Sequence, residues 1–379
     1  MTRRRADHKN FGELAHPRQS ASSAVGLFRP FAGFASLPVV VRAACLCLCA
    51  FAASAAQAED NVTLRGGSTA ARMTISGVVE DYTGVEVTIR TEPGEPPRSF
   101  PAKDVVEIQT SQTEAHTQGL KLLAAGQVDE ARRELETALK KESRVWVRRE
   151  IVAALVRAAL RRGDFTAAGI RFQALVKSDP TTRHFRLIPL IWAPEKISPE
   201  VRDEARTWLT GAGEPGRLIG ASLLYADPEL GREARASLKK LATSIDPRIQ
   251  SLAQMQAWRE EAVGGNPGKL QTAQWQRRID DLPDDLRAGP NYLLGRAYAA
   301  RHDYELAAAT LLWLPLVDDH DHRLAARACL EAGAALDKIG QHDEARTLYQ
   351  EVTTRFSDTP FAEEAAALLE SAGKSQPAR

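Results

Sequence analysis

Asp318-Asp319-His320-Asp321-His322 is the densest group of potential metal ligands in the chain. Two imidazoles in an H-x-H pair, flanked by carboxylates, offer the nitrogen and oxygen donors that suit a divalent transition metal. No further ligand run lies nearby in sequence, so the expectation is a solvated linker without a metal. No nucleophile elbow, phosphate-cradling Gly loop, H-E-x-x-H or Cys-His arrangement occurs. Gly211-Ala212-Gly213-Glu214-Pro215-Gly216 has the glycines of a dinucleotide-binding loop. It lacks a preceding strand and contains Pro, so it reads as an inter-helix turn. Carboxylates abound, but at helical spacing beside Lys and Arg they read as solvated faces and ion pairs. The residues therefore predict no catalytic group, no cofactor and no metal, and the chain is expected not to be an enzyme.

The elements that would position any such groups are written as a recurring phrase. Gly126-Gln127-Val128-Asp129-Glu130-Ala131 returns as Gly163-Asp164-Phe165-Thr166-Ala167-Ala168. It returns again as His302-Asp303-Tyr304-Glu305-Leu306-Ala307 and as Gly340-Gln341-His342-Asp343-Glu344-Ala345. Each copy sits between two apolar helical stretches, so the phrase marks the turn of a helix–turn–helix unit. Gly119 and Ala131, Gly295 and Ala307, and Gly333 and Ala345 are each twelve residues apart. A large apolar residue follows four after the Ala, as Leu135, Phe172, Leu311 and Tyr349, and Leu294-Gly295 with Tyr298 completes an L-G-x-x-Y core.

This register resembles that of the tetratricopeptide repeat. The resemblance implies a mainly α-helical solenoid of stacked hairpins. Its small residues let paired helices approach, and its large ones fill the groove between successive pairs. The chain departs from the pattern at Val156, where Gly is expected, and no unit carries the family's early Trp. From Ala345 to Ala362 the chain looks like the closing repeats of periplasmic tetratricopeptide proteins of the Tol-Pal and outer-membrane-assembly type.

Around these repeats the organisation changes three times. Residues 59–110 are β-branched and alternating: Met73–Glu80 and Val85–Arg90 flank a turn at Asp81-Tyr82-Thr83-Gly84, and Ser99–Pro101 and Val105–Ile108 follow. Five short strands in this span resemble a small SH3-like or Sm-like β-barrel, expected to dock on the first helices because so small a module is hard to stabilise alone. Repeat units occupy 113–180 and 286–371. Between them, 181–285 holds no good copy and reads as divergent helical pairs, HEAT-like or tetratricopeptide-like. Ser198-Pro199, Asp227-Pro228 and Asp246-Pro247 mark helix starts there, and Gly264-Gly265-Asn266-Pro267-Gly268 is a break. A disordered tail is expected over 372–379.

Residues 1–58 read as an export leader. Arg42 precedes the apolar run Ala43–Ala53, and Ala56-Gln57-Ala58 supplies an A-x-A cleavage site. An uncleaved anchor is the alternative, although Arg42 interrupts the ~20 apolar residues that a membrane span needs. Cys45, Cys47 and Cys49 would leave with a cleaved leader, so Cys329 alone would remain and no intramolecular disulfide is expected. The leader has a net charge of +5, which leaves −4 for the rest of a chain whose formal total is +1. That balance disfavours nucleic acid as a partner.

Partner binding is the remaining role. The family's geometry, carried onto this chain, places His116, Arg157, Arg161, Tyr292, Arg296, Asp337 and Lys338 on the groove. This basic and aromatic mixture suits an extended peptide with acidic character. The dull reading of the same residues is a solvated helix face. Trp146, Trp192, Trp208, Trp258, Trp275 and Trp313 read as core, with one or two available to a peptide groove. The expectation is an exported, non-enzymatic protein–protein scaffold in the periplasm or envelope. The alternative is a cell-wall- or carbohydrate-binding or -processing protein using the solenoid's concavity.

Overall fold

The computed structural model describes residues 59–66, 72–211, 213–265 and 267–374. The expected leader with its three cysteines, and residues 375–379 of the tail, lie outside the described residues. Strands β1 (Asp60–Arg65), β2 (Arg72–Tyr82), β3 (Glu86–Arg90), β4 (Arg98–Pro101) and β5 (Val105–Gln109) form one antiparallel sheet in the order β4-β3-β2-β1-β5. The strand that sequence patterning did not delimit is β1, whose inward Val62 and Leu64 alternate with outward Asn61 and Thr63. Together with Val79, Val87 and Ile89, they pack on Leu123, Leu135, Trp146 and Ile151 in a single core. The sheet thus docks on the first helices, as expected. Polar bonds fix the docking: Trp146 Nε1 donates to the Val79 carbonyl at 3.0 Å, and Arg149 reaches the Tyr82 carbonyl at 2.9 Å and Asp81 at 2.7 Å.

The rest is mainly helical. The four recurring phrases each close a hairpin: α1 (Glu114–Ala124) with α2 (Val128–Lys141), and α3 (Val145–Arg162) with α4 (Phe165–Ser178). The later pairs are α11 (Ala288–Ala300) with α12 (Tyr304–Leu311), and α14 (His322–Lys338) with α15 (His342–Arg355). The first residue of each phrase has positive φ: Gly126 at 80°, Gly163 at 72°, Gly340 at 79° and His302 at 62°. The N–H after it returns to a carbonyl five residues back: Gln127 to Leu122, Asp164 to Ala159, Asp303 to Tyr298 and Gln341 to Leu336. That left-handed stop bonds otherwise orphaned carbonyls, which is why Gly opens the phrase in three of its four copies.

The small-and-large pairing is direct. A Cβ added at Gly119 would lie 2.7 Å from Leu135 Cγ, at Gly295 2.6 Å from Leu311 Cγ, and at Gly333 2.6 Å from Tyr349 Cε1. Each large residue therefore packs on the glycine of its own hairpin, rather than only between successive hairpins. Where Val156 replaces the glycine, Phe172 instead meets Phe185 edge-on at 5.7 Å.

The middle contains α5 (Pro199–Gly211), α6 (Glu214–Leu223), α7 (Gly231–Leu241), α8 (Pro247–Gln256), α9 (Arg259–Gly264) and α10 (Lys269–Asp280). Asp246 caps α8 through the Arg248 N–H at 2.9 Å. Asp227, expected to start a helix at Pro228, instead accepts from Leu230 N–H at 2.8 Å in the turn before α7. The break around Gly265 separates α9 from α10. A short α13 (Trp313–Val317) precedes α14, and α16 (Phe361–Lys374) runs beyond the expected helix end near 371.

One segment departs from the helical expectation. After a 3₁₀ turn at Phe185–Leu187, residues 188–194 run without helix or strand, although Ile188, Leu190, Ile191, Trp192 and Ala193 are buried. Pro189 and Pro194 remove two N–H donors and oppose a helix. The buried backbone is satisfied by side chains: Ile191 N–H donates to Ser222 Oγ at 2.8 Å, and Gln256 Nε2 donates to the Ile191 carbonyl at 3.2 Å. This segment carries the late helices back to the early ones. A Cβ at Gly289 would lie 2.0 Å from Trp192 Cε2, Arg327 Nη1 donates to the Pro194 carbonyl at 3.0 Å, and Arg323 pairs with Glu195 at 2.5 Å.

Candidate functional site

Helix α3 sets the site. Glu150, Arg157 and Arg161 are seven and four residues apart, which at 3.6 residues per turn leaves them within roughly 40° of one another around the helix. On α1, His116, Leu120 and Leu123 follow the same logic of i, i+4, i+7. Two adjoining cavities open along these faces, with Leu120 and Arg157 lining both.

The smaller, of about 220 Å³, lies where the sheet meets the helices. Val105 and Ile108 of β5, Leu120, Trp146 and Val147 give it apolar walls, and Tyr82, His116, Glu150, Arg157 and Arg183 give it polar ones. Glu150 pairs with Arg183 at 2.5 Å and with His184 Nε2 at 2.9 Å. Burial opposes its ionisation, but the His184 bond and the Arg183 charge outweigh burial and hold the carboxyl below the usual range. His116 is 3% exposed, and its Nδ1 is buried without a partner. Burial lowers its pKa, so the ring is neutral at pH 7. Arg183 lies over the Tyr82 ring at 4.6 Å, and burial raises the phenol's pKa.

The larger cavity, of about 590 Å³, is bounded by α1, α3, the 319–322 linker and the end of α15. Arg161 pairs with Asp358 and donates to the Leu123 carbonyl at 3.0 Å. His322 Nε2 meets the other Asp358 oxygen at 3.0 Å, and Arg355 pairs with Asp319 at 2.9 Å. Arg157, at the boundary between the cavities, forms no hydrogen bond or ion pair among the described residues. Burial, and then the charge of Arg186, lower its pKa, although a guanidinium keeps its proton. Its half-buried charge has no ion-pair partner, and the nearby Glu150 offsets the shift only in part. A guanidinium so placed has donors free for an anionic group. No Ser or Cys stands among the described lining residues of either cavity.

Of the residues expected on the groove, His116, Arg157 and Arg161 come together here. The other four lie elsewhere. Tyr292 is fully buried, its hydroxyl donating to Glu331 at 3.0 Å, and Arg296 pairs with the same carboxylate at 2.9 Å. Asp337 accepts from Tyr349 Oη at 2.7 Å and pairs with His342 at 3.0 Å, while Lys338 is exposed. The residues that sequence reasoning missed are Tyr82, Glu150, Arg183 and Arg355. Only Glu150 carried a signal, its seven-residue spacing from Arg157. The 318–322 run forms the cavity wall: His320 bonds Asp318 at 2.5 Å, and Asp321 caps α14 through Leu324 N–H at 3.0 Å. Among the described residues no group of three or more His, Cys, Asp or Glu is placed to hold a metal ion.

Trp146, Trp192, Trp208, Trp258 and Trp275 are buried, and Trp313 packs partly buried against the core. Trp258 and Trp275 stack at 4.6 Å beside a separate cleft of about 500 Å³. Comparison with protein families, with curated proteins and with solved structures found no match.

Proposed function

We propose that this chain is an exported, non-enzymatic scaffold of the periplasm or cell envelope that binds an extended acidic segment of another protein. The observation that carries the reading is Arg157, a cation without an ion-pair partner among the described residues, between two adjoining cavities that are open enough for a chain to enter. The repeated turn geometry and the three glycine-on-large-residue seams support a tetratricopeptide-like α-solenoid behind an SH3- or Sm-like module. Export rests on the leader pattern of residues 1–58. Unlike an open groove, this arrangement takes its ligand where the first and last hairpins meet.

The rival reading is a carbohydrate or cell-wall ligand. Aromatic side chains beside the 500 Å³ cleft favour it. Trp258 and Trp275 are 6% and 4% exposed, however, and stack on each other, which leaves little ring face for a sugar. The test is a titration of fluorescently labelled peptides of eight residues, Asp/Glu-rich against Ser/Gly-rich, with a peptidoglycan sedimentation assay alongside. Preferential binding of the acidic peptides, weakened at least about tenfold by Arg157→Glu, supports the scaffold. Sedimentation with peptidoglycan, without any peptide preference, overturns it in favour of the rival.

A further inference from the structure

The smaller cavity gathers more unpartnered polar groups than Arg157, the one residue that the scaffold reading uses. Three polar side chains facing it have no partner for their functional atoms among the described residues. These are the Tyr82 hydroxyl, the His116 ring and the Arg157 guanidinium. Of these, His116 Nδ1 is fully buried, and a buried polar atom without a hydrogen bond costs about 1–3 kcal/mol; Tyr82 and Arg157 are partly buried. Here the groups come from three different elements, β2, α1 and α3, and line one cavity. The opposite wall is apolar: Val105, Ile108, Leu120 and Val147. Two acids stand in the lining: Glu150, which Arg183 and His184 pair at 2.5 and 2.9 Å, and Glu107 of β5, which is exposed. Arg157 and Arg183 balance Glu107 and Glu150 in formal charge, and Arg157 is the basic side chain of the lining that has no ion-pair partner among the described residues.

We infer that this cavity is a binding site for a small organic acid with an apolar body. Its carboxylate takes the Arg157 guanidinium and accepts hydrogen bonds from Tyr82 Oη and the His116 ring, while its body lies against Ile108, Leu120 and Val147. A carboxylate fits this donor set because it is planar, singly charged and offers about four lone-pair sites. The volume sets the size class: about 220 Å³ corresponds to roughly seven water volumes of ~30 Å³. That is room for a compact acid and not for a folded segment. Because the sheet and the helices each supply walls, an occupant would also tie the two together.

This site shares Arg157 with the reading of the protein as a scaffold but does not depend on it, because its test uses a small acid and no partner protein. Benzoate is the probe, benzamide its neutral isostere, and inorganic phosphate a charged probe without an apolar body. Each is titrated against the full chain by isothermal calorimetry and by thermal shift. Benzoate should bind and raise Tm, while benzamide and phosphate bind at least about tenfold more weakly. Arg157→Gln should weaken benzoate at least about tenfold, and Tyr82→Phe by several-fold, because each removes a donor to the carboxylate. Tyr82→Phe keeps the ring under Arg183, so it serves if Arg157→Gln fails to fold. Arg355→Gln, in the larger cavity only, should leave benzoate affinity unchanged. Equal binding of benzoate and benzamide overturns the inference, as does unaltered benzoate affinity in Tyr82→Phe and Arg157→Gln. A loss confined to Arg355→Gln, or no benzoate binding up to about 10 mM, overturns it too.

Discussion

Asp358 holds Arg161 with one carboxylate oxygen and His322 with the other, joining residues 197 positions apart in the chain. The acid lies in the turn between α15 and α16, and its partners lie on α3 and α14. Burial disfavours its charge, but the Arg161 bond and charge prevail and hold its pKa below the usual range.

Replacing Asp358 by Ala should therefore cost on the order of 1–3 kcal/mol, since Arg161 and His322 both lose a partner in a partly buried place. The first and last hairpins should also separate more readily, which small-angle scattering would register as a larger radius of gyration. Unchanged stability together with an unchanged radius would mean that this contact does not hold the closure.

This closure marks where the sequence stopped being legible. The hairpins could be read because their determinants are local: Gly119 and Leu135 are sixteen residues apart, and the Gly126 turn lies between them. The meeting of α3 with the 319–322 linker depends instead on small rotations accumulated over every intervening helix, including the pattern-free middle. So Arg157 and Arg161 could be placed on a face, but not opposite Arg355 and His322. Tyr292 was misleading for a related reason. It occupies a position that faces a groove in a regular array, yet here Glu331 of α14 comes to its hydroxyl at 3.0 Å and covers it. The run 188–194 was missed because an extended buried strap is stable only when distant side chains, Ser222 and Gln256, bond its backbone.

Gly333→Ala tests the seam between α14 and α15. The new methyl would lie 2.6 Å from Tyr349 Cε1, and the Tyr349 hydroxyl is tied to Asp337 at 2.7 Å, so the ring cannot swing aside freely. Overpacking of this kind costs about 1–3 kcal/mol. Gly340→Ala, at φ 79° with nothing within 4 Å, should cost only about 1 kcal/mol, through backbone strain alone. Shortening the ring by Tyr349→Leu should recover part of the first loss and none of the second. Chemical denaturation of the single and double variants measures all of these. Equal losses at the two glycines would argue against the packing explanation.

Asp321 gives a pH dependence with a definite sign. Burial, opposed by its bond to the Leu324 N–H and assisted by Glu195, pushes its carboxyl up to about 6. The folded chain then binds a proton that the unfolded chain, with an ordinary value near 3.8, has released. Its contribution is full below the unfolded value and is lost as pH rises through about 6. Asp321→Asn keeps an oxygen to cap α14 and removes the buried charge. The variant should match the parent near pH 4 and exceed it at neutral pH, by on the order of 3 kcal/mol. Thermal unfolding across that range decides the matter, and a variant no more stable than the parent at neutral pH would refute the assignment.

Cys329 reports on the same seam as Gly333, one helical turn away on α14. It is fully buried, and burial pushes its thiol up to about 12, so almost no thiolate exists at neutral pH. With Cys45, Cys47 and Cys49 replaced by Ser, reaction with a disulfide reagent in native buffer should proceed only through opening of the α14–α15 hairpin. The rate should fall at least about a thousandfold below that of the unfolded chain. Gly333→Ala weakens that seam, so it should accelerate labelling by the factor that corresponds to its loss of stability, about fivefold to a hundredfold for 1–3 kcal/mol. Gly119→Ala packs its methyl against Leu135 in the first hairpin, far along the chain. If opening is local it should leave the rate unchanged, and if opening is global it should raise the rate as much as Gly333→Ala does at equal destabilisation. Comparing the two variants therefore tells whether the last hairpin opens by itself or only when the whole helical region unfolds.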